Sequence, residues 1–272
     1  MKTIVIPTDF SPVAINAMNY ALDMAIQVNA EVILFHVYSV PISMTEVPVM
    51  LISVEELEKN AENQIRAMKE KVEHLTSGKV NVRTETRLGD TVDELENICE
   101  NVKPFAVVMG SRGGSGVDRL FGSTTLSAIR RLHCPVICVP PGKEYGQGIR
   151  RIGFACDFRD VVETTPFGHI RDWVRQFSAE LHILNVGHRE KQEGSKQYEL
   201  LNNGLKEVNP IYHFIESDDV EEGINDFAEK NNLDLVVTIP KKHKLMEGIF
   251  KKSSTRQLVL HAHVPILCIH EE

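Results

Sequence analysis

The sequence predicts an α/β fold made twice, as two tandem domains whose parallel sheets carry helices on both faces. Three observations predict it. Apolar runs rich in β-branched residues alternate with helical patterns. The second half repeats the first, segment by segment and in the same order. A turn-rich stretch, Pro140 to Gly148, lies between the copies.

The elements of the first copy follow in order. Ile4–Thr8 is a short β-rich run. Ser11 can cap a helix whose first position is Pro12. Ala14, Met18, Ala21, Leu22 and Ala25 then share one helical face. Glu31–Val37 reads as the second strand. Ser53-Val-Glu-Glu56 is a capping box for a long helix ending near Leu75. Val80–Thr86 alternates as a strand does, and Thr91-Val-Asp-Glu94 opens a third helix. Phe105–Met109, Ser123–Leu132 and Val136–Val139 complete the series as strand, helix and strand. Strands that are apolar on both faces belong in a parallel sheet buried between helices.

The repeat has a period of 148 residues, measured from Asp9 to Asp157. Ile4-Val-Ile-Pro-Thr-Asp9-Phe10 matches Ile152-Gly-Phe-Ala-Cys-Asp157-Phe158. Ala30–Val37 matches Ala179–Val186, and Phe105–Met109 matches Asp234–Thr238. Leu132–Val139 matches Ala262–Ile269. The expected domains are residues 1–142 and 149–272.

Composition narrows the function. The chain has 272 residues, 42% hydrophobic and 25% charged, as expected of a globular protein. No apolar run approaches the roughly 18 residues of a membrane span. A net charge of −8 argues against general nucleic-acid affinity. The first residues reach Asp9 too early for a signal peptide. A cytoplasmic location with no membrane or nucleic-acid partner is therefore expected. The five cysteines, Cys99, Cys134, Cys138, Cys156 and Cys268, are odd in number and scattered, which fits a reducing compartment. Cys134 and Cys138 flank Pro-Val-Ile and read as part of a buried strand rather than a metal or redox site. His133, His261 and His263 precede the final strands, but no third ligand stands at a helpful spacing, so no metal is expected. No Ser-His-Asp order or carboxylate pair stands out, and no catalytic residue is assigned.

The segment from Met109 to Thr125 is the most informative. It joins a strand, a glycine-rich loop and a hydroxyl-rich helix start, the parts of a phosphate cradle. Open parallel sheets bind ligands beyond the carboxyl ends of strands where strand order reverses. An order of 3-2-1-4-5 brings Thr8, Asp9 and Phe10 to Gly110–Gly113 across such a crevice. Asp9 then stands as an acceptor at the crevice floor, or it caps the turn before Ser11. Gly110 and Gly113 let main-chain N–H groups face an anion. Ser123, Thr124 and Thr125 supply hydroxyls and helix N-terminal donors, or simply cap a helix. Arg112 pairs with a phosphate or is a solvated surface charge. The second copy has Ile239-Pro-Lys-Lys242 and Lys251-Lys-Ser253-Ser254 in place of these glycines. Pro240 also removes a donor. Lys241, Lys242, Lys244, Lys251 and Lys252 make either a solvated basic surface or a side-chain anion site.

This layout resembles the universal stress protein family in its tandem two-domain form. The resemblance rests on Pro7-Thr-Asp9, on His36-Val37, on Gly110-Ser-Arg-Gly113 with Gly122-Ser123, and on Cys134-Pro-Val-Ile-Cys-Val139. The family's nucleotide motif is Gly-x2-Gly-x9-Gly-Ser/Thr. Here eight residues, Gly114 to Phe121, separate Gly113 from Gly122, one fewer than the motif. The resemblance implies a Rossmann-like 3-2-1-4-5 sheet of the adenine nucleotide alpha hydrolase kind, with pairing of such domains through their fifth strands. It also implies ATP or a related adenine nucleotide, with or without Mg, in the first domain and none in the second. The implied contacts are Pro7, Thr8, Asp9, Val37, Met109, Gly110, Arg112, Gly113, Gly122, Ser123, Thr124 and Thr125. Val136–Val139 and Ile266–Ile269 would make an intramolecular pseudo-dimer, with a homodimer of two such chains left open. The expected function is a stress-response regulatory protein; the alternatives are a nucleotide-free interaction scaffold and a slow ATP hydrolase.

Overall fold

The computed structural model describes residues 1–40, 53–111, 123–158, 161, 165–187, 194–240 and 254–270. The first half runs β1 (Lys2–Pro7), α1 (Pro12–Val28), β2 (Ala30–Tyr38), α2 (Val54–Leu75), β3 (Val82–Leu88), α3 (Thr91–Val102), β4 (Ala106–Gly110), α4 (Ser123–Arg131) and β5 (Val136–Val139). The second runs β6 (Arg151–Ala155), α5 (Phe167–Phe177), β7 (Glu180–Val186), α6 (Lys196–Leu205), a 3-10 turn (Lys206–Val208), β8 (Ile211–Ile215), α7 (Val220–Lys230), β9 (Leu235–Thr238), α8 (Ser254–His261) and β10 (Ile266–Cys268).

Local chemistry sets the element ends. Ser11 caps α1 by accepting from the Ala14 N–H, and Pro12 occupies the first turn. Ser53 caps α2 through the Glu56 N–H. Thr91 opens α3 as expected, and Asp90 caps it, because its carboxylate accepts from both Val92 and Asp93 N–H. Most strand bounds shift by one or two residues from the sequence reading. The third strand begins at Val82 rather than Val80: Val80 is buried, but ladder pairing starts where Val82 meets Val32.

All ten strands form one sheet in the order β3-β2-β1-β4-β5-β10-β9-β6-β7-β8. Each half is the expected 3-2-1-4-5 arrangement with parallel neighbours. The halves meet antiparallel, with Ile266 opposite Cys138, Leu267 opposite Ile137 and Cys268 opposite Val136. Alternation along each strand splits the core between the two faces of the sheet. Ile4, Ile6, Ile137 and Val139 join the face that holds α1, α2 and α5. Val5, Val136, Cys138 and Cys268 join the face that holds α3, α4, α7 and α8. No helix among the described residues is long and apolar enough to cross a membrane.

The junction is more than a strand pair. The Phe105 ring, just before β4, stacks on Trp173 of α5 with centroids 4.6 Å apart. Lys2 Nζ lies 5.5 Å from the Phe105 centroid and its ammonium donates to Gln176. The turn-rich stretch between the copies is fastened as well. Asn16 Nδ2 donates to the Pro140 and Lys143 carbonyls, and the Tyr145 ring meets Tyr20 edge-on at 4.9 Å. Ile149 is fully buried.

In the second half, His182 Nδ1 and His213 Nε2 share a hydrogen bond of 2.9 Å, and their rings stack. Burial holds both imidazoles below their usual pKa, although Glu180 pulls His182 the other way. The folded protein therefore resists a proton that the unfolded chain takes up near pH 6.5. The contribution is intact above that pH and is lost as pH falls below it. Lowering pH from 7.5 to 5.5 should reduce the urea midpoint, and His213→Gln should flatten that dependence. Trp173→Ala removes a ring that is 3% exposed. It should cost about 3–5 kcal/mol, read from urea unfolding followed by far-UV circular dichroism.

Candidate functional site

Strand order reverses at β1: the chain leaves β1 for β2 on one side, and β4 lies on the other. The carboxyl ends of β1 and β4, at Pro7 and Gly110, open side by side. Pro7 is half-buried opposite Phe35. Thr8 is buried, its N–H donates to the Phe35 carbonyl at 2.8 Å, and its Oγ1 accepts from Phe10 N–H at 3.0 Å. Phe10 adopts a left-handed φ of 62°. Asp9 is exposed, and its Oδ1 accepts from Ser11 N–H at 3.0 Å. Thr8, Asp9 and Ser11 thus each hold a main-chain N–H of the next few residues, so the loop is set by its own side chains. Asp9 serves this turn while its carboxylate faces solvent at the strand end.

His36, near the end of β2, braces the loop. Its Nδ1 lies 2.8 Å from the Thr8 carbonyl oxygen, and its ring packs on Phe10 with centroids 4.6 Å apart. A carbonyl oxygen only accepts, so Nδ1 carries the proton in this contact. The second half has the same device. Asn185 Nδ2 donates to the Cys156 carbonyl at 2.8 Å, and Phe158 takes a φ of 53°. The repeat aligns His36 with Asn185 and Thr8 with Cys156. Two N–H-bearing side chains at one repeat position were the signal in the sequence.

On the other side of the crevice, Met109 is buried and Gly110 forms the last rung of β4, opposite Val139. Ser111 N–H continues to the Val139 carbonyl at 2.8 Å. Gly110 also has a packing reason. A Cβ there would lie 2.4 Å from Val13 Cγ1 and 2.9 Å from the Val13 carbonyl oxygen. The first turn of α1 rests on this backbone, which leaves no room for a side chain. Thr125, buried in the first turn of α4, donates from Oγ1 to the Gly110 carbonyl at 3.2 Å. That bond holds the N-terminus of α4 to the end of β4. Thr124 is exposed beside it, and Ser123 opens the helix. Val37 is half-buried at the end of β2 and packs on the α3–α4 side of the core. Arg112, Gly113 and Gly122 lie outside the described residues.

The structure therefore brings together Pro7, Thr8, Asp9, Gly110, Thr124 and Thr125. In the second half, Phe158 is buried beneath Tyr198, Tyr212 and Phe214, with ring centroids 6.0 to 6.5 Å away. Ile239 and Pro240 follow β9 where Gly110 and Ser111 stand in the first half; the lysine cluster, Lys241 to Lys252, lies outside the described residues. His261 bonds Glu221, and His263 Nδ1 lies 2.8 Å from Glu229, so both pair with carboxylates of α7. Among the described residues, no group of three or more His, Cys, Asp or Glu side chains gathers as a metal site.

Comparison with known proteins agrees with this architecture. The model of the universal stress protein family matches residues 1–140 and 168–270. A universal stress protein of Methanocaldococcus jannaschii is 33% identical over 149 residues, covering 53% of this chain and 84% of that protein. Universal stress protein G of Shigella flexneri is 33% identical over 85 residues, covering 31% of this chain and 58% of that protein. The crystal structure of a universal stress protein from Archaeoglobus fulgidus aligns over 99% of this chain and 98% of its own, with a TM-score of 0.77 at 19% identity. That last likeness is one of fold. Two family-matched segments, one in each 3-2-1-4-5 half of the single sheet, lead to one conclusion: the chain belongs to the universal stress protein family, in its tandem two-domain form.

Proposed function

We propose that the first domain, residues 1–142, binds ATP or a related adenine nucleotide at the mouth between β1 and β4. In this reading the protein is a cytoplasmic stress-response regulator whose partner choice follows occupancy of that site. The second domain, residues 149–272, is its structural counterpart and binds no nucleotide. The observation that carries the reading is the hydrogen bond from Thr125 to Gly110. It holds the first turn of α4 at the end of β4, the strand next to β1, and a helix N-terminus turns main-chain N–H donors toward an anion.

The donor set suits such a ligand. The exposed Asp9 carboxylate accepts from ribose hydroxyls or the base amine. Thr124 and the α4 N-terminus donate to phosphate oxygens, and Ser123, Gly113, Gly122 and Arg112 extend that side along the chain. Pro7, Thr8 and Val37 shape the apolar wall. The loop between Gly113 and Gly122 is shorter than the family motif by one residue, so an adenine nucleotide with fewer phosphates is part of the proposal. Turnover is not proposed. No lysine follows the glycines as in a P-loop, and among the described residues no group of three or more His, Cys, Asp or Glu gathers as a metal site. All five cysteines are free, which suits a reducing compartment.

Isothermal titration of the full chain with ATP, ADP and AMP tests the reading. Asp9→Ala should weaken binding about ten- to a hundredfold, the loss expected for a hydrogen bond to a charged group. Asp9→Asn keeps an oxygen for the turn and should fall between wild type and alanine. Absence of heat with all three nucleotides at millimolar concentration would favour the scaffold reading. Gly110→Ala should lower the melting temperature by several degrees with or without nucleotide, because it displaces α1 at Val13.

A further inference from the structure

Cys99 and Cys134 lie 35 residues apart in sequence and meet in space. Cys99 is on the last turns of α3, and Cys134 is in the turn that links α4 to β5. Their thiols share a hydrogen bond. Both line a cavity of about 420 Å³ that Glu96, Lys103, Pro104 and His133 also border. The backbone on either side is fixed. Arg131 of α4 reaches Asp93 of α3 at 2.7 Å and also bonds Glu96, one turn before Cys99. The Pro135 carbonyl accepts from Val107 N–H at 2.9 Å, which anchors the turn to β4.

The two sulfurs are unequal. The hydrogen bond from the Cys99 thiol lowers the pKa of Cys134, and the same bond with burial raises that of Cys99. Cys134 is also the more open of the two: Cys99 is 7% exposed, and Cys134 is half-buried. One sulfur is thus readier to ionise and reachable, with a protonated neighbour in contact behind it. A second pair gives the contrast. Cys138 and Cys268 also share a hydrogen bond, across the domain junction, but both have no exposed surface.

We propose that Cys99 and Cys134 form a reversible dithiol–disulfide pair, oxidised by hydroperoxides and reduced by small thiols. The Cys134 thiolate attacks one peroxide oxygen, the O–O bond breaks, and hydroxide leaves to take up the proton that Cys134 had lost. The resulting sulfenic acid is attacked by the Cys99 sulfur as that thiol gives up its proton. The S–O bond breaks and water leaves. With hydrogen peroxide the sum is two thiols and one peroxide giving one disulfide and two waters. Two equivalents of a small thiol restore the dithiol and leave as their own disulfide. The bond would tie α3 to the α4–β5 turn and is independent of nucleotide.

Graded hydrogen peroxide on the reduced full chain, then iodoacetamide and peptide mass mapping, tests this. The first change should be a Cys99–Cys134 linked peptide, about 2 Da lighter than the two thiol peptides together and restored by dithiothreitol. Cys138 and Cys268 should stay reduced and become alkylated only after unfolding. In Cys99→Ser, Cys134 should accumulate as sulfenic acid that dimedone traps. In Cys134→Ser, Cys99 should react with peroxide at least about tenfold more slowly than Cys134 does in wild type. The proposal is overturned if both thiols remain reduced while other cysteines oxidise, or if wild-type Cys134 proceeds to sulfinic acid without linking to Cys99. The wild-type map decides between these outcomes even if a variant fails to fold.

Discussion

Three rungs of antiparallel pairing between β5 and β10 set the frame of the molecule. Each half builds a sheet in which the fifth strand would otherwise stand at an edge, with a row of unpaired N–H and C=O groups. Pairing the two fifth strands removes both edges at once and leaves only β3 and β8 at the margins. Trp173 on Phe105 and Tyr145 on Tyr20 then close the same junction from one face of the sheet. The position of the crevice follows, because β4 is held between the junction strand and β1.

The two halves keep one loop design and load it differently. Both bend at a left-handed phenylalanine after an aspartate, and both brace the bend from the neighbouring strand, with His36 in one and Asn185 in the other. In the first half the phenylalanine lies against the bracing imidazole, and the strand beyond it ends in Gly110. In the second it sinks among Tyr198, Tyr212 and Phe214, and the strand beyond is followed by Ile239 and Pro240. Shared loop geometry therefore belongs to the fold, while the contents of the crevice belong to each copy.

Features encoded within a few residues could be read from the sequence. Ser11 and Ser53 cap the helices they precede, because a cap needs only a hydroxyl and the N–H three positions on. The order of strands and helices and the matching of the fifth strands came from periodicity, from the repeat and from the family resemblance. What depended on distant neighbours was not legible. His36 acts on a carbonyl 28 residues away. Gly110 looked like a phosphate-loop glycine, but the pressure of Val13 on it appears only once α1 is docked. Cys134 and Cys138 read together as part of one buried strand; Cys138 is buried in that strand, whereas Cys134 sits in the turn before it and meets Cys99.

The strand that completes the centre of the sheet is also the last of its repeat to be synthesised. Between Val139 and Ile266 the ribosome must add 126 residues. Whenever the first half folds ahead of the second, its β5 margin stays open for all of that interval. Another nascent copy of the same half offers the same strand at the same moment. Correct assembly is thus a race between an internal partner that arrives late and an external one whose supply depends on how closely ribosomes follow one another along the message.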